Sequence, residues 1–233
     1  MLPTFGLITE GETDQHILKH ILIGYFNDPD LVVRNLQPAA DETDAEAMSA
    51  FGGWVNVFNY CQPEYLEGAL KRNDFIVVQV DTDVSEQKGF DVGKLDKSGQ
   101  RLPVSDLILK VIERFQEVFS QDFETTFWEE NKNRILFAVS VESIECWLLP
   151  LFYNDNTKSA INSCLSKVNQ YLIKNNEKPI PNNKNGAVPT YRKLSRQLMK
   201  NKVLKESYPQ NPSFKIFIEN ELKIKIPQNT EGS

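Results

Sequence analysis

The sequence predicts an α/β protein whose mainly parallel sheet is flanked by helices. Short apolar runs of β-prone residues alternate along the chain with segments whose apolar residues recur at helical spacing. Such alternation is typical of βαβ units, which build parallel sheets. The chain has 233 residues, 40% hydrophobic and 25% charged, a composition ordinary for a globular protein.

The first strand and helix are predicted from residues 5–9 and 13–26. The first segment is short, apolar and β-prone, which favours a buried strand. The second begins with Thr13 and Asp14, either of which is expected to cap a helix N-terminus. It also carries an apolar stripe at helical spacing, formed by Ile17, Leu18, Ile21 and Leu22.

The middle of the chain continues the alternation. Residues 31–36 are predicted to form a second strand, and residues 37–49 form a polar, acidic loop. A helical stretch follows from residue 54 to residue 71, with a break expected near Pro63. The run FIVVQV, residues 75–80, predicts the next strand, which Asp81 follows directly.

The remaining elements of the sheet lie before residue 153. Residues 86–102 are rich in Gly, Asp and Lys and are interpreted as a mobile loop. An amphipathic helix is predicted over 104–119, a strand over 134–141, and an apolar helix over 144–152.

The character of the sequence changes after residue 153. Residues 1–153 are therefore predicted to form the α/β domain, and residues 154–233 a helical C-terminal extension that packs on it. The helical patterns of the extension cover residues 157–173, 189–202 and 213–222.

Acidic residues follow three of the predicted strands. Glu10 follows the first strand, and Asp81 and Asp83 follow FIVVQV. Residues i and i+2 of an extended chain point the same way, so Asp81 and Asp83 are expected to converge on one ion. Sites in parallel sheets lie at the carboxyl ends of strands. Hard oxygen ligands gathered there predict Mg²⁺ or Mn²⁺ binding.

Further acids extend this candidate metal site. Asp14 lies one helical turn beyond Glu10, and Glu142 follows the strand RILFAVSV, with Glu145 one turn further. Each acid alone has a simpler interpretation as a helix cap or a solvated loop residue. The coincidence of three strands ending in carboxylates favours the metal site, whose predicted ligands are Glu10, Asp14, Asp81, Asp83, Glu142 and Glu145.

The pieces LITEGETD and VVQVDTD resemble the Toprim fold of topoisomerases, primases and OLD-type nucleases. The segment VESIECWLL is similar to the corresponding segment of small Toprim-like proteins of the RloB group, and aligns Glu145 with their acid. The resemblance covers roughly residues 5–152. The chain departs from OLD-type nucleases because it has no GxxxxGK[ST] motif and hence no ATPase domain of its own.

This resemblance implies a metal-dependent nuclease that cleaves DNA or a tRNA-like RNA and serves in prokaryotic anti-phage defence with a separate ABC-type ATPase. Two Mg²⁺ or Mn²⁺ ions would activate water and neutralise the leaving oxygen. Glu10, Asp81 and Asp83 are the expected catalytic acids. OLD-type sites also use a lysine, for which Lys193 is the catalytic candidate, with Arg192 and Lys184 as further nucleic-acid-binding residues. A solvated helix face is the simpler interpretation of these cations.

Two alternatives remain open. A receiver-like or phosphatase-like domain also gathers acids at strand ends, although the start at Glu10 and Gly11 fits it poorly. A non-catalytic Toprim-like scaffold would bind an ATPase partner and nucleic acid without cleaving it.

The net charge and the cysteine content indicate which partners and which cellular compartment to expect. The net charge of −6 argues against non-specific nucleic-acid binding by the isolated surface, so a basic partner or a homodimer groove is expected to help. No apolar stretch approaches the ~18 residues that span a bilayer. The three cysteines, Cys61, Cys146 and Cys164, predict neither a disulfide framework nor a zinc site, which favours the cytoplasm.

Overall fold

The computed structural model describes residues 2–38, 53–122, 125–184 and 186–226. Four strands form in this part of the chain, each at a place that the sequence predicts. They are β1 (Phe5–Ile8), β2 (Val33–Gln37), β3 (Phe75–Asp81) and β4 (Ile135–Ser140). Most of the acidic loop predicted over residues 37–49 lies outside the described residues.

The four strands form one sheet in the order β2-β1-β3-β4, and every neighbouring pair is parallel. Phe5 lies opposite both Val33 and Phe75 in register, which places β1 between β2 and β3. The chain leaves β1 in one direction to reach β2, and then crosses β1 to reach β3. The carboxyl ends of β1 and β3 therefore flank the topological switch point, where open α/β sheets bind ligands.

Helices cover both faces of the sheet, because alternate residues of each strand feed two separate cores. The first core contains Leu7, Val77 and Leu136, and the second contains Val78 and Phe137. Helix α1 (Glu12–Phe26) packs on the first face. Helices α2 (Trp54–Tyr60), α3 (Pro63–Arg72), α4 (Val104–Asp122) and α5 (Thr125–Asn131) follow in the chain. The first three contribute buried residues to the second core, and Phe127 and Trp128 of α5 pack against it.

The C-terminal helices share the first core with α1. Trp147, in the segment after β4, stacks on Phe214 and Phe217 near the end of the chain, with ring centroids 4.9 and 5.4 Å apart. Its elements are a 3₁₀ helix (Ile144–Leu151), a short 3₁₀ turn (Asn156–Ser159), α6 (Cys164–Lys174), α7 (Val188–Ser195), a 3₁₀ turn (Arg196–Met199), α8 (Asn201–Ser207), a 3₁₀ turn (Tyr208–Gln210), α9 (Pro212–Ile216), a π-helical segment (Phe217–Leu222) and α10 (Lys223–Lys225).

The outer edge of β4 is covered by side chains from the π-helical segment and α10. The buried Glu221 accepts a hydrogen bond from the backbone N–H of Phe137 at 2.9 Å. Lys225 donates to the carbonyl of Ile135 at 2.7 Å and pairs with Glu221 at 2.8 Å. These contacts satisfy edge groups that would otherwise be open to pairing with another strand.

Some local predictions differ from the structure. Helix α1 begins after Gly11, whose extended backbone caps it without a side chain, so the expected caps Thr13 and Asp14 lie inside the first turn instead. The segment after β4 is a 3₁₀ helix rather than an α-helix. The loop predicted over residues 86–102 is irregular, and Phe90 within it is fully buried in the second core.

The prediction that the cysteines form no disulfide is wrong. Cys146 and Cys164 are joined, with an S–S distance of 2.10 Å, because the segment after β4 packs against the start of α6. Cys61 is a buried free cysteine. Among the described helices, none is both long enough and apolar enough to cross a membrane.

Candidate carboxylate–lysine site

Carboxylates meet a lysine at the switch point of the sheet. Glu10 follows β1, Asp81 ends β3, Asp14 lies in the first turn of α1, and Lys184 comes from the loop before α7. These four side chains line a cavity of about 410 Å³, which the carboxyl ends of β1 and β3 flank. Glu145, in the 3₁₀ helix after β4, contacts the same lysine.

Glu10 is held by the backbone of the neighbouring strand. Its Oε1 accepts a hydrogen bond from the backbone N–H of Asp81 at 2.7 Å. Gly53 lies against the other carboxylate oxygen, because a Cβ atom on this glycine would stand 3.0 Å from Glu10 Oε2. The φ of Gly53 is +64°, so both the backbone conformation and the close approach favour glycine there.

Gln79 connects the ends of β1 and β3. Its Nε2 donates to Asp81 Oδ1 at 2.9 Å, and its Oε1 accepts from the backbone N–H of Glu10 at 3.2 Å. The side chain is fully buried. Sequence reasoning missed this residue, although a single polar side chain inside the apolar run FIVVQV is a signal that could have found it.

Glu145 is fully buried and shares its Oε1 between two donors. Lys184 Nζ lies 2.7 Å from this oxygen, and the hydroxyl of the buried Tyr191 in α7 also donates to it. The second oxygen, Oε2, has no hydrogen-bond partner among the described residues. The sequence analysis did not identify Tyr191, since an aromatic residue at helical spacing is indistinguishable from ordinary core.

Electrostatics at the site disfavour ionised acids. Burial, followed by the charges of Asp14 and Asp83, raises the pKa of Glu10 to about 8. Burial also raises the pKa of Asp14 to about 6, although Lys184 opposes this change. For Asp81, burial together with the charges of Glu10 and Asp14 raises the pKa well above its ordinary value.

The lysine and Glu145 stabilise each other's charge. Burial alone would raise the pKa of Glu145, but the charge and hydrogen bond of Lys184, together with hydrogen bonds from Ser143 and Tyr191, outweigh it and lower that pKa. Burial alone would lower the pKa of Lys184, but the charges of Asp14, Glu145 and Asp81 raise it. This pair is therefore ionised at neutral pH.

Asp83 and Glu142 lie away from the cavity lining. Strand β3 ends at Asp81 and the chain turns at Thr82, so the extended geometry that would align Asp83 with Asp81 is absent. Asp83 is exposed, and its carbonyl accepts from Lys94 Nζ at 2.5 Å. Glu142 accepts from the backbone N–H of Ser163. Neither carboxylate is among the residues that line the cavity.

The cation at the site is Lys184, not the predicted Lys193. Lys193 is exposed on α7, where its ammonium pairs with Glu177 at 2.7 Å. Arg192 is also exposed, and its Nη2 lies 3.3 Å from His16 Nε2. Residues 192 and 193 follow Tyr191, which faces the core, and this phase of α7 directs both of them to solvent.

The donor set fits a hard divalent cation in its chemistry, because every acidic group at the cavity offers oxygen. Ser140 Oγ, opposite Asp81 in register, and Glu145 Oε2 are buried oxygens without partners in the described part of the chain. Within residues 2–38, 53–122, 125–184 and 186–226, however, no three His, Cys, Asp or Glu side chains already form a metal-binding group. Hydrogen bonds and Lys184 engage oxygens that a metal ion would need.

The fold and the site define an α/β protein with a parallel sheet and a carboxylate–lysine site at its switch point. Comparisons with protein-family models, with curated proteins and with solved structures find no match to this chain.

Proposed function

We propose that this protein is a Mg²⁺- or Mn²⁺-dependent nuclease that hydrolyses phosphodiester bonds. The observation that carries the proposal is the group formed by Glu10, Asp14 and Asp81, which line one cavity with Lys184 at the switch point of the sheet. Unpaired acids are costly in such a place, because burial and mutual repulsion oppose their ionisation. A divalent cation relieves both effects.

Of the four acidic residues that line the cavity, Glu10, Asp14 and Asp81 would hold the metal, and Glu12 is exposed. Bound Mg²⁺ or Mn²⁺ supplies charge neutralisation at a phosphate and lowers the pKa of water, and two such ions suit phosphodiester cleavage. Glu10 is positioned for this task by the backbone of Asp81, and Asp81 by Gln79. The exposed Asp83 and the Ser163-bound Glu142 are weaker candidates, since neither lines the cavity.

Lys184 takes the role that the sequence analysis gave to Lys193. Its ammonium reaches the cavity wall and is fixed there by Glu145, which Tyr191 holds in turn. A fixed positive charge beside carboxylates favours binding of a phosphate oxygen. Glu145 then serves to position this lysine.

The wider context of the proposal rests on the Toprim resemblance alone. It comprises a DNA or tRNA-like substrate, an ABC-type ATPase partner and a role in anti-phage defence. The cytoplasmic location is expected from the cysteine content instead, and the Cys146–Cys164 disulfide weakens that support.

The test measures cleavage of plasmid, single-stranded DNA and bulk tRNA with Mg²⁺ or Mn²⁺. Asp81→Asn keeps the shape of the side chain and an oxygen for Gln79, so we expect the fold to survive and the rate to fall at least about 100-fold. Asp106→Asn, an exposed acid in the first turn of α4, is the matched control and should cleave like the wild type.

Calorimetric titration with Mn²⁺ gives a second readout that does not depend on activity. The wild type and Asp106→Asn should bind the ion, and Asp81→Asn should bind it at least about tenfold more weakly. Equal cleavage and equal Mn²⁺ affinity in all three proteins would refute the proposed site.

A second candidate is the non-catalytic scaffold, and the Lys184–Glu145 ion pair favours it. A lysine already inside a carboxylate group neutralises part of its charge and competes with a metal ion. On this reading the wild type neither cleaves nucleic acid nor binds Mn²⁺, and the ion pair only stabilises the fold.

A further inference from the structure

A strongly basic stretch begins beside the cavity. Residues 188–205 carry six Lys or Arg residues and no acid, although the whole chain has a net charge of −6. All six side chains are exposed: Arg192, Lys193, Arg196, Lys200, Lys202 and Lys205. A charge excess of one sign on an acidic protein is the footprint of a polyanionic partner.

The structure connects this stretch to the cavity. Val188, the first residue of α7, lines the cavity together with Lys184. Helix α7 packs along α1, where Arg192 Nη2 lies 3.3 Å from His16 Nε2. Lys19 is exposed one turn further along α1, so both helices contribute cations to one face.

A second concavity continues the same face beyond the cavity. It has a volume of about 440 Å³ and is lined by Lys193, Arg196 and Lys200 together with Gln197 and Met199. Among the described residues, no carboxylate lies within ion-pair distance of Arg196 or Lys200.

The buried His20 reports the resulting positive field. Burial, followed by the charges of His16, Lys19, Arg192 and Arg196, lowers its pKa to about 4. Lys19, Arg192 and Arg196 are therefore all close enough to act on one point beneath this face.

We infer that Lys19, Arg192, Lys193, Arg196 and Lys200, here called the basic surface, bind the phosphate backbone of a nucleic acid strand and lead it to the cavity. This inference rests on the proposed function, since it names the surface that would bind the nucleic acid substrate of the nuclease. An extended polyanion fits because the cations continue from the cavity along α7 into the second concavity. A small ligand would leave most of them unused.

Salt dependence gives the inference a number. Each Lys or Arg that neutralises a phosphate adds about 0.7 to the slope of log K against log salt for single strands. Contact by all five cations would give a slope of about −3.5. Arg196→Gln/Lys200→Gln should weaken binding and reduce the magnitude of the slope by about 1.4.

The experiment measures fluorescence anisotropy of labelled 20-nucleotide DNA and RNA strands in EDTA, so that no cleavage occurs. The matched control, Lys71→Gln/Lys110→Gln, removes two exposed charges from α3 and α4 on the opposite face of the sheet. The inference expects wild-type slope and affinity for the control. Equal loss in both variants, or no binding by the wild type at low salt, would overturn it.

Two further measurements identify the partner and separate this inference from the proposed function. Poly-L-glutamate that competes as well as the DNA strand would mark a general anion surface and overturn the assignment. Hydrolysis of bis(p-nitrophenyl) phosphate tests the cavity without the basic surface. If the protein cleaves this diester and Arg196→Gln/Lys200→Gln binds the strand as the wild type does, the inference alone is refuted. If the wild type binds the strand in a salt-dependent way but cleaves nothing, the inference is supported and the proposed function is refuted.

Discussion

Replacing Lys184 by methionine should destabilise the protein, because it removes the ammonium group that pairs with the buried negative charge of Glu145. The Glu145 side chain is 0% exposed and that of Lys184 is 29% exposed. Methionine keeps much of the aliphatic length of lysine, so the change isolates the charge. Hydrogen bonds from Tyr191 and Ser143 would then be left to support the Glu145 carboxylate.

The size of the effect follows from burial. Removing one partner of a buried ion pair costs about 3–5 kcal/mol, and water near the partly exposed Lys184 places this case near the lower end. A loss of about 3 kcal/mol corresponds to a melting temperature lower by roughly 6–12 °C for a chain of this size.

The surface pair Lys193–Glu177 provides the control. Its N–O distance is also 2.7 Å, but its side chains are 67% and 31% exposed. Lys193→Met should therefore change the free energy of unfolding by less than about 1 kcal/mol. The two substitutions have the same chemistry and ion-pair distance and differ in burial.

The pH dependence has a definite sign. In the wild type the pKa of Glu145 is lowered from its ordinary value of 4.5, so the ion pair contributes stability above that pH and loses it as the pH falls through the folded-state pKa. In Lys184→Met burial raises the pKa instead, so stability is present at acid pH and is lost as the pH rises. The difference between the two proteins should be largest near pH 7 and shrink below pH 4.5.

Urea unfolding at several pH values, followed by circular dichroism, measures both effects. The double variant Lys184→Met/Glu145→Gln should be more stable at neutral pH than Lys184→Met, because it removes the buried charge as well. Equal unfolding free energies for wild type and Lys184→Met, or a difference that is the same at pH 4 and pH 7, would refute the reasoning.

Three further predictions concern unfolding free energies, each measured by urea denaturation. Gly24→Ala should cost about 1–3 kcal/mol, because its Cβ would lie 1.9 Å from the backbone carbonyl oxygen of Leu198. Gly68→Ala should gain about 0.5–1 kcal/mol, because the nearest atom to its Cβ, in the Arg72 side chain, would lie 3.6 Å away. A Gly24→Ala variant more stable than Gly68→Ala would contradict this packing. Gln79→Leu should cost about 1–3 kcal/mol by leaving Asp81 without its donor, and an unchanged stability would show that this bond is dispensable. Glu221→Gln should cost about 1–2 kcal/mol at the β4 edge, and a stabilised variant would contradict the edge contact.

Strands β1, β3 and β4 were predictable because they are buried and apolar on both faces, as buried parallel strands require, whereas the edge strand β2 leaves Arg34 and Asn35 exposed. Runs such as FIVVQV cannot form amphipathic helices, and the helical spacing of α1 cannot form a strand. The cap of α1 was not predictable in the same way. Thr13 and Asp14 have side chains that can cap a helix, but the helix already begins after Gly11, whose backbone is extended.

The candidate site was predictable only where strand ends locate it. Glu10 and Asp81 follow from the rule that parallel strands present their carboxyl ends at one edge. Asp83 does not line the cavity because the strand stops two residues earlier, a boundary that composition does not reveal. Lys184 and Lys193 have equal chemistry in the sequence, and only the path of the loop before α7 distinguishes them.

The C-terminal extension is part of the site and not merely a cover for the sheet. Lys184 and Tyr191 both come from beyond residue 153, and both bond to Glu145, which follows β4. Without them, burial would oppose the charge of Glu145, and the cavity lining would lose the ammonium group of Lys184. Helix α7 carries Arg192 and Lys193 of the basic surface, and the turn that follows it carries Arg196 and leads to Lys200. Formation of the site and presentation of the basic surface therefore depend on one packing event, the docking of α7 against α1.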